Sequence, residues 1–247
     1  MSSKTRAHFD ALAPAYDELR GPAEGGVPPL VVALVTAGDL HGKHVLDVGC
    51  GTGSTLATLK EHFGVTGCGV DPSPRMVDQT RARGLTAELA PAEALPFDDE
   101  SFERAYTVFV VHHLDRPRAF VEIARVLRPG GRLTILTSDP KAFGRFWMAE
   151  LFQSYAEIER GRFPSAATLF GELEAAGYVD PACEELAIER VFSRAEALEK
   201  LRGRAYSTFV HLDEQEYARG LEKAERELPR EVRYQLELLL VTAAKPR

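Results

Sequence analysis

Short runs rich in β-branched residues alternate with amphipathic, helix-like stretches through the first half of the chain. The predicted strands cover residues 44–49, 65–70, 85–90, 105–111 and 132–137, and the predicted helices cover residues 54–63, 74–83 and 117–127. Strands that alternate with helices form βαβ units, in which helices cover both faces of a parallel sheet. The pattern therefore predicts a doubly wound α/β fold.

The second half of the chain has longer helix-like stretches and two late strand candidates. Helices are predicted at residues 146–163, 165–176, 193–201 and 213–228, and strands at residues 183–192 and 234–243. The apolar run 236–241 would also suit a buried helix, but a strand is preferred. The two late strands complete a seven-stranded, mostly parallel sheet in a single domain of residues 1–247. Residues 193–229 are then an inserted helical cap.

Composition and charge restrict the class of partner. The 247 residues are 45% hydrophobic and carry a net charge of -7, with 30 basic and 37 acidic side chains, so no footprint for nucleic acid or an anionic membrane is expected. No apolar run is long enough to cross a bilayer, and residues 1–9 lack the apolar stretch of a secretory signal, which favours a cytoplasmic protein. Cys50, Cys68 and Cys183 are too widely spaced for a disulfide framework or a zinc site, so no metal is expected.

The strongest motif is the glycine-rich turn of residues 45–53, Val-Leu-Asp-Val-Gly-Cys-Gly-Thr-Gly, which joins a predicted strand to a predicted helix. Glycines let the backbone turn tightly and approach a ligand, and the following helix presents free N–H groups and a partial positive charge. Ser54 stands where a nicotinamide-binding G-x-G-x-x-G loop needs glycine or alanine. Asp47 beside the turn would repel a pyrophosphate and attract an ammonium group. The loop therefore suits a zwitterionic ligand better than a dinucleotide.

Asp71 lies at the end of the second predicted strand. An acid at that place in an α/β sheet accepts hydrogen bonds from ribose hydroxyls, which indicates a nucleoside ligand. The alternative is that Asp71 caps the helix that begins near Ser73. Met76, one turn into that helix, would pack on an adenine face or fill the core.

In the order and spacing of its motifs, the chain resembles the class I S-adenosylmethionine-dependent methyltransferases, especially the branch that includes ubiquinone and menaquinone biosynthesis enzymes. The resemblance rests on residues 45–53, 69–76, 92–97, 102–114 and 125–131, and it covers about residues 5–140. It implies a Rossmann-like sheet, S-adenosylmethionine as cofactor and S-adenosylhomocysteine as product. The implied reaction is the transfer of a methyl group to a small organic acceptor by in-line displacement.

The same resemblance implies roles for individual residues. Asp47 and Gly49 would face the methionine ammonium, Asp71 the ribose, and Met76 the adenine. The residues that it places around the cofactor are Asp47, Gly49, Cys50, Gly51, Asp71, Pro72, Met76, Ala92, Glu93, Thr107 and Val108. Pro91 departs from the family pattern, in which an acidic residue accepts from the adenine amine. Adenine recognition would then fall to backbone atoms or to Glu93.

His112 and His113 follow the fourth predicted strand, at the edge of the sheet where open α/β folds bind ligands. Methyl transfer mainly requires alignment of the two reactants, but a base helps where the nucleophile carries a proton. Either histidine is therefore a candidate general base. The alternative is that one of them caps the next helix or closes the cofactor pocket.

Acceptor contacts are predicted in two places. The segment 1–26 resembles the lid that closes the family's site, and its Tyr16 and Arg20 are candidate contacts to the cofactor carboxylate or the acceptor. In the second half, Trp147 would form part of an aromatic wall, and Arg204 would grip an acidic or phenolic group. For each residue the alternative is ordinary packing or a solvated helix face.

Two functions from different classes follow from this sequence. The first is an S-adenosylmethionine-dependent methyltransferase that acts on a small molecule as a monomer or homodimer. The second is a protein that binds S-adenosylmethionine and serves as a regulatory or interaction subunit without transferase activity. Pro91, in place of the adenine-binding acid, is the feature that keeps the second function open.

Overall fold

The computed structural model describes residues 1–20 and 27–247, which contain a seven-stranded mixed sheet with helices on both faces. The strands are β1 (His44–Val48), β2 (Thr66–Asp71), β3 (Ala87–Leu89), β4 (Phe102–Val108), β5 (Leu127–Ser138), β6 (Val179–Ser193) and β7 (Glu231–Ala244). The helices are α1 (Ser3–Leu12), α2 (Tyr16–Arg20), α3 (Pro29–Gly38), α4 (Ser54–Phe63), α5 (Pro74–Ala82), α6 (Arg116–Val126), α7 (Tyr155–Arg162), α8 (Ala166–Ala175), α9 (Arg194–Arg202) and α10 (Glu214–Glu227).

The strand order is β3-β2-β1-β4-β5-β7-β6. The first five strands are parallel, whereas β7 runs antiparallel to both of its neighbours, β5 and β6. The predicted Rossmann-like, seven-stranded fold is therefore confirmed, with a sheet that is mixed rather than wholly parallel. The order reverses between β1 and β4, and at such a point the loops after the two strands diverge and open a crevice for ligands.

Apolar side chains from both sides of the sheet form the core. On one face, α6 and α8 bury Phe120, Ile123, Leu169 and Leu173 against the strands. On the other face, α3 and α4 bury Leu34, Val35, Leu56 and Leu59. Because helices cover both faces of the sheet, consecutive residues are buried in the central strands, as at 45–48 in β1 and 68–71 in β2.

A second apolar cluster lies beyond the sheet and joins residues 143–163 to the α9–α10 region, with Phe152, Leu201 and Phe209 at its centre. The β6–β7 pair supports this cluster. β7 pairs with β5 only from Leu238 onward, whereas its preceding residues 231–237 pair with β6 alone. The resulting two-stranded ribbon brings Phe192 against Trp147, with ring centroids 5.2 Å apart.

Several elements differ from the sequence prediction, including β4, which covers Phe102–Val108 rather than 105–111, and β5, which begins at Leu127 rather than at residue 132. The helix predicted at 146–163 is helical only from Tyr155, because Glu216 of α10 binds the N–H and hydroxyl of Ser154 at 2.8 and 2.7 Å and fixes the helix start there. Strand β6 begins four residues early, at Val179, across an irregularity in its pairing with β7. Helix α3 was not predicted, although a proline at its first position and an apolar run were its sequence signals.

Candidate functional site

A cavity of about 450 Å³ lies at the carboxyl ends of β1, β2 and β4, where the strand order reverses. Its walls are the glycine-rich turn, the start of α5, residues 89–93 and residues 108–114, and α1 and α2 cover it. The cavity brings together most of the residues predicted to bind a ligand, namely Tyr16, Asp47, Gly49, Cys50, Gly51, Asp71, Pro72, Met76, Ala92, Glu93, Val108 and His113.

The glycine-rich turn needs its glycines for two different reasons. Gly49, Gly51 and Gly53 all have left-handed φ angles, of 74°, 55° and 79°. A Cβ on Gly49 would lie 2.6 Å from the side chain of Val110, so this glycine lets the turn pack against the loop after β4. A Cβ on Gly51 would meet no protein atom within 4 Å. Gly51 therefore presents bare backbone to the cavity.

Asp71 joins the glycine-rich turn to the start of α5. Its carboxylate accepts hydrogen bonds from the N–H of Gly51 at 3.1 Å and from the N–H of Ser73 at 2.9 Å. The helix cap is the Ser73 hydroxyl, which accepts from the N–H of Met76, so Asp71 is not itself the capping residue. Burial raises the pKa of Asp71 to about 6, against the lowering effect of these backbone hydrogen bonds. The carboxylate retains lone pairs for a ligand in the cavity.

Asp47 is almost completely buried at the bottom of the cavity. Its Oδ2 has no hydrogen-bond partner among the described residues. Burial raises the pKa of Asp47 to about 7, the neighbouring Tyr106 hydroxyl opposes this rise, and the charge of Asp71 adds to it. A buried carboxylate without a counter-ion is stabilised by a bound cation. The cavity therefore suits a ligand with a positive charge next to Asp47.

The other predicted cofactor residues occupy varied positions. Burial raises the pKa of the Cys50 thiol, so this cysteine is not a reactive thiolate. Met76 and Val108 line the cavity, whereas Thr107 is fully buried in the sheet behind it. Glu93 accepts a hydrogen bond from the N–H of Asp115 at 2.8 Å and so connects residues 89–93 of the cavity wall to the loop that carries the histidines.

The two histidines have different surroundings. His113 lines the cavity, and its ring meets Phe9 of α1 edge-on at a centroid distance of 5.5 Å. His112 stacks on Phe163 at 3.8 Å and does not line the cavity. Burial, followed by the nearby Arg162 charge, lowers the pKa of His113 to about 3. His113 is therefore a neutral imidazole at physiological pH, which accepts a hydrogen bond but is a weak base.

We expect the His113 ring to stay neutral from pH 5 to pH 8, because protonation inside the closed cavity would bury a charge beside Arg162. An NMR titration that follows the imidazole C2 proton, assigned with His113→Gln, measures this directly. A titration midpoint above pH 5 would contradict the burial and charge assigned to this residue.

The predicted acceptor contacts separate into two groups. Tyr16 lines the cavity, and the side chain of Arg20 lies outside the described residues. Trp147 packs among aromatic rings of the second apolar cluster. Arg204 forms an ion pair with Glu214 at 2.6 Å, and its guanidinium lies 3.9 Å from the ring centroid of Tyr217. Neither Trp147 nor Arg204 belongs to the described lining of this cavity.

Among the lining residues that sequence reasoning missed are Arg6, Phe9 and Phe109. Phe109 has a left-handed φ of 56°, which is unusual for a bulky residue and common near ligand sites. The sequence prediction placed Phe109 inside the fourth strand, at residues 105–111, whereas β4 ends at Val108. Arg6 and Phe9 lie on α1, far from every motif, and no local pattern marks them as site residues.

Residues 1–20 and 27–247 show neither a metal-binding cluster nor a membrane-spanning helix. In this part of the chain, no three His, Cys, Asp or Glu side chains lie close enough together to hold a metal ion. None of the described helices combines the length and the apolar character that crossing a bilayer requires.

Comparison with known proteins gives related sequences. Residues 46–135 match a family model described as a methyltransferase domain. The chain is 32% identical over 188 residues to a malonyl-[acyl-carrier protein] O-methyltransferase from Herminiimonas arsenicoxydans, covering 73% of the chain and 68% of that protein. It is 38% identical over 149 residues to an O-methyltransferase from Penicillium expansum, covering 56% of the chain. The chain spans about half the length of the Penicillium protein and of a similar one from Aspergillus sclerotiorum.

Solved structures share the fold at low sequence identity. The phosphoethanolamine N-methyltransferase 2 of Haemonchus contortus, solved with S-adenosyl-L-methionine, has a TM-score of 0.63 at 19% identity and covers 96% of this chain and 57% of that one. The [4+2]-cyclase SpnF has a TM-score of 0.63 at 21% identity and covers 99% and 97%. The second likeness shows that this fold also occurs in a protein named for a different reaction.

Proposed function

The chain belongs to the S-adenosylmethionine-dependent methyltransferases, and on this basis we propose that it transfers a methyl group from S-adenosylmethionine to a small organic acceptor. The observation that carries this proposal is the pair of buried acids in one cavity. Asp47 has an unsatisfied carboxylate oxygen, and Asp71 is held beside the open backbone of Gly51.

The cavity fits this donor chemically. Asp47 would pair with the amino-acid ammonium, and Asp71 would accept from the ribose hydroxyls. Gly51 has no side chain, so it leaves room for the ligand beside the backbone of the glycine-rich turn. Met76 would give an apolar surface for the adenine.

When bound, S-adenosylmethionine supplies a methyl group on a sulfonium, which is already a strong electrophile. The protein then needs mainly to orient the two reactants and exclude water. Phe9, Tyr16 and Phe109 supply the apolar part of the wall near His113. The neutral His113 ring would accept a hydrogen bond from an acceptor hydroxyl and orient its oxygen, and its low pKa makes it a weak proton acceptor.

Several finer features belong to the same proposal. The motif spacing favours the methyltransferase branch that includes ubiquinone and menaquinone biosynthesis enzymes. Relatives that are named O-methyltransferases favour oxygen as the methylated atom. Residues 193–229 would act as the helical cap and residues 1–26 as the lid. We propose a metal-free, cytoplasmic protein that works as a monomer or homodimer without a nucleic-acid or membrane partner.

Calorimetric titration with S-adenosylmethionine and S-adenosylhomocysteine tests the proposal. We expect both ligands to bind, and the proposed function is overturned if neither of them binds. Methyl transfer from labelled donor into a cell extract then distinguishes the enzyme from a regulatory binding protein. The alternative function, a regulatory protein that binds S-adenosylmethionine without transferring its methyl group, rests on Pro91, which lines the cavity without an acidic group. This alternative gains support if both ligands bind and no extract is labelled.

Replacing Asp71 with alanine is expected to weaken S-adenosylhomocysteine binding by about a hundredfold, because two charge-assisted hydrogen bonds to ribose are lost. Calorimetry measures the affinity, and Asp78→Ala, an exposed acid on α5 away from the cavity, is the matched control. Asp71 also supports the Gly51 and Ser73 amides, so the melting temperature is measured in parallel. An unchanged affinity would limit Asp71 to this support role.

A further inference from the structure

Residues 3–20, which comprise α1 and α2 and which we call the cover segment, form one wall of the cavity. Arg6, Phe9 and Tyr16 of this segment line it. Phe9 contacts both Tyr16 and His113 edge-on, at centroid distances of 6.3 and 5.5 Å. Movement of the cover segment would therefore widen the cavity on this side.

The first polar contact of the cover segment is made by Asp17. Its carboxylate accepts a hydrogen bond from the Thr52 hydroxyl at 2.7 Å and also pairs with Arg83, just beyond α5. Thr52 is only 2% exposed and directly follows Gly51 in the glycine-rich turn. Asp17 therefore holds the cover segment to the loop that presents backbone to the ligand.

The second contact is made by Asp10. Its carboxylate accepts a hydrogen bond from the Ser73 hydroxyl at 2.6 Å. Ser73 is fully buried, caps α5 and donates its N–H to Asp71. Asp17 and Asp10 thus each bind a hydroxyl that lies within two residues of a predicted cofactor contact.

The far end of the cover segment contacts the late part of the chain. The Lys200 ammonium of α9 donates a hydrogen bond to the backbone carbonyl of Leu19. The Leu19 side chain also packs against Gly203, where an added Cβ would lie 2.9 Å from its Cδ2 atom. Contacts at residues 10, 17 and 19 thereby hold the cover segment to the glycine-rich turn, to the start of α5 and to α9.

We propose that Asp17 and Asp10 are positioning residues that hold the cover segment closed and so set the rate at which bound cofactor leaves. The proposal rests on the proposed function, because it assigns the cavity to S-adenosylmethionine. Both acids act through Thr52 and Ser73 rather than by touching the ligand. Loss of either contact favours the open segment and speeds ligand release more than ligand entry.

Stopped-flow measurement of S-adenosylhomocysteine dissociation tests the role of Asp17. We expect Asp17→Ala to raise the dissociation rate constant about tenfold, with a smaller change in the association rate constant. Glu18→Ala removes a neighbouring exposed acid of the same helix that makes no hydrogen bond or ion pair with another described residue, and it should dissociate at the wild-type rate.

A double-mutant cycle separates this role from general destabilisation. Asp17→Asn keeps an acceptor oxygen for Thr52 but loses the ion pair with Arg83, and Arg83→Gln loses the same pair from the other side. We expect equal, smaller increases in dissociation rate from these two variants, and no further increase when they are combined. These variants keep the test decisive if Asp17→Ala folds poorly.

Asp10→Asn should likewise raise the dissociation rate, because the charge-assisted hydrogen bond from Ser73 becomes a neutral one. Dissociation from the Asp17 and Asp10 variants within twofold of the Glu18→Ala rate would overturn the proposal. Additive effects in the cycle would overturn it as well. If wild-type protein binds neither S-adenosylmethionine nor S-adenosylhomocysteine, the proposed function itself fails, which is a distinct result.

Discussion

Replacing Gly51 with alanine is expected to weaken S-adenosylhomocysteine binding by about a hundredfold, or about 2.7 kcal/mol. The added Cβ meets no protein atom, so it projects into the cavity at the place where the ligand approaches the backbone. Alanine also disfavours the left-handed φ of 55°, which costs the folded protein about 1 kcal/mol. Calorimetry gives the affinity and chemical denaturation gives the stability.

The matched control is Gly64→Ala. Gly64 ends α4 with a φ of 63°, and an added Cβ there also meets nothing within 4 Å, but this residue does not line the cavity. Both variants therefore carry the same backbone strain, and only Gly51→Ala places an atom in the ligand's space. Equal affinities of the two variants would show that the glycine-rich turn is needed for folding and not for close approach of a ligand.

Replacing Asp47 with asparagine is expected to weaken S-adenosylhomocysteine binding by about a hundredfold at pH 8, because a buried charge pair with the ligand ammonium is lost. The wild-type affinity should itself fall about tenfold between pH 8 and pH 6. Asp47 has a pKa of about 7 without ligand and must lose its proton to bind a cation. In Asp47→Asn the affinity should keep only a weaker pH dependence, which is due to Asp71 with its pKa of about 6.

The stability of the ligand-free protein should change with pH in the opposite direction to the ligand affinity, and should rise as the pH falls. The pKa of Asp47 is higher in the folded protein than its ordinary value of 3.8, so the folded state binds the proton more tightly. The unfolding free energy contributed by this group is therefore lowest above pH 7 and rises as the pH falls from about 7 towards 4. Asp47→Asn should remove this dependence and stabilise the ligand-free protein at pH 8 by on the order of 2 kcal/mol.

The control for Asp47 is a ligand rather than a variant. 5′-Methylthioadenosine lacks the amino-acid group, so its affinity should be the same for wild-type protein and Asp47→Asn. Calorimetry at pH 8 and pH 6 with both ligands completes the test. If the two ligands lose affinity equally in Asp47→Asn, the carboxylate supports the shape of the cavity and is not a partner of the ammonium.

The parts of the site that were predictable lie at the ends of parallel strands. Asp47 and Asp71 were found because a strand pattern, a glycine-rich turn and a second strand end together specify where their side chains meet. The structure brings both acids into one cavity with Gly51 between them. Local sequence is sufficient here, because the fold places consecutive parallel strands side by side.

The parts that were not predictable depend on contacts between distant residues. The start of α7 is set by Glu216, which lies 62 residues after Ser154. Phe9 enters the cavity only because the hydrogen bond between Asp10 and Ser73 holds α1 there. Hydrophobic periodicity predicts that a helix exists, but such side-chain contacts decide where it begins and what it covers.

The cover segment also constrains the order in which the protein is built. Its residues are translated before all of their partners, which are Thr52, Ser73, Arg83 and finally Lys200, which forms its contact across 181 positions of sequence. Contacts of such long sequence separation form late in folding. The cover segment can therefore complete these contacts only after most of the chain has been translated and the sheet with its glycine-rich turn has formed. One wall of the cavity is thus translated before the residues that hold it in place, and it joins them in one of the last steps of folding.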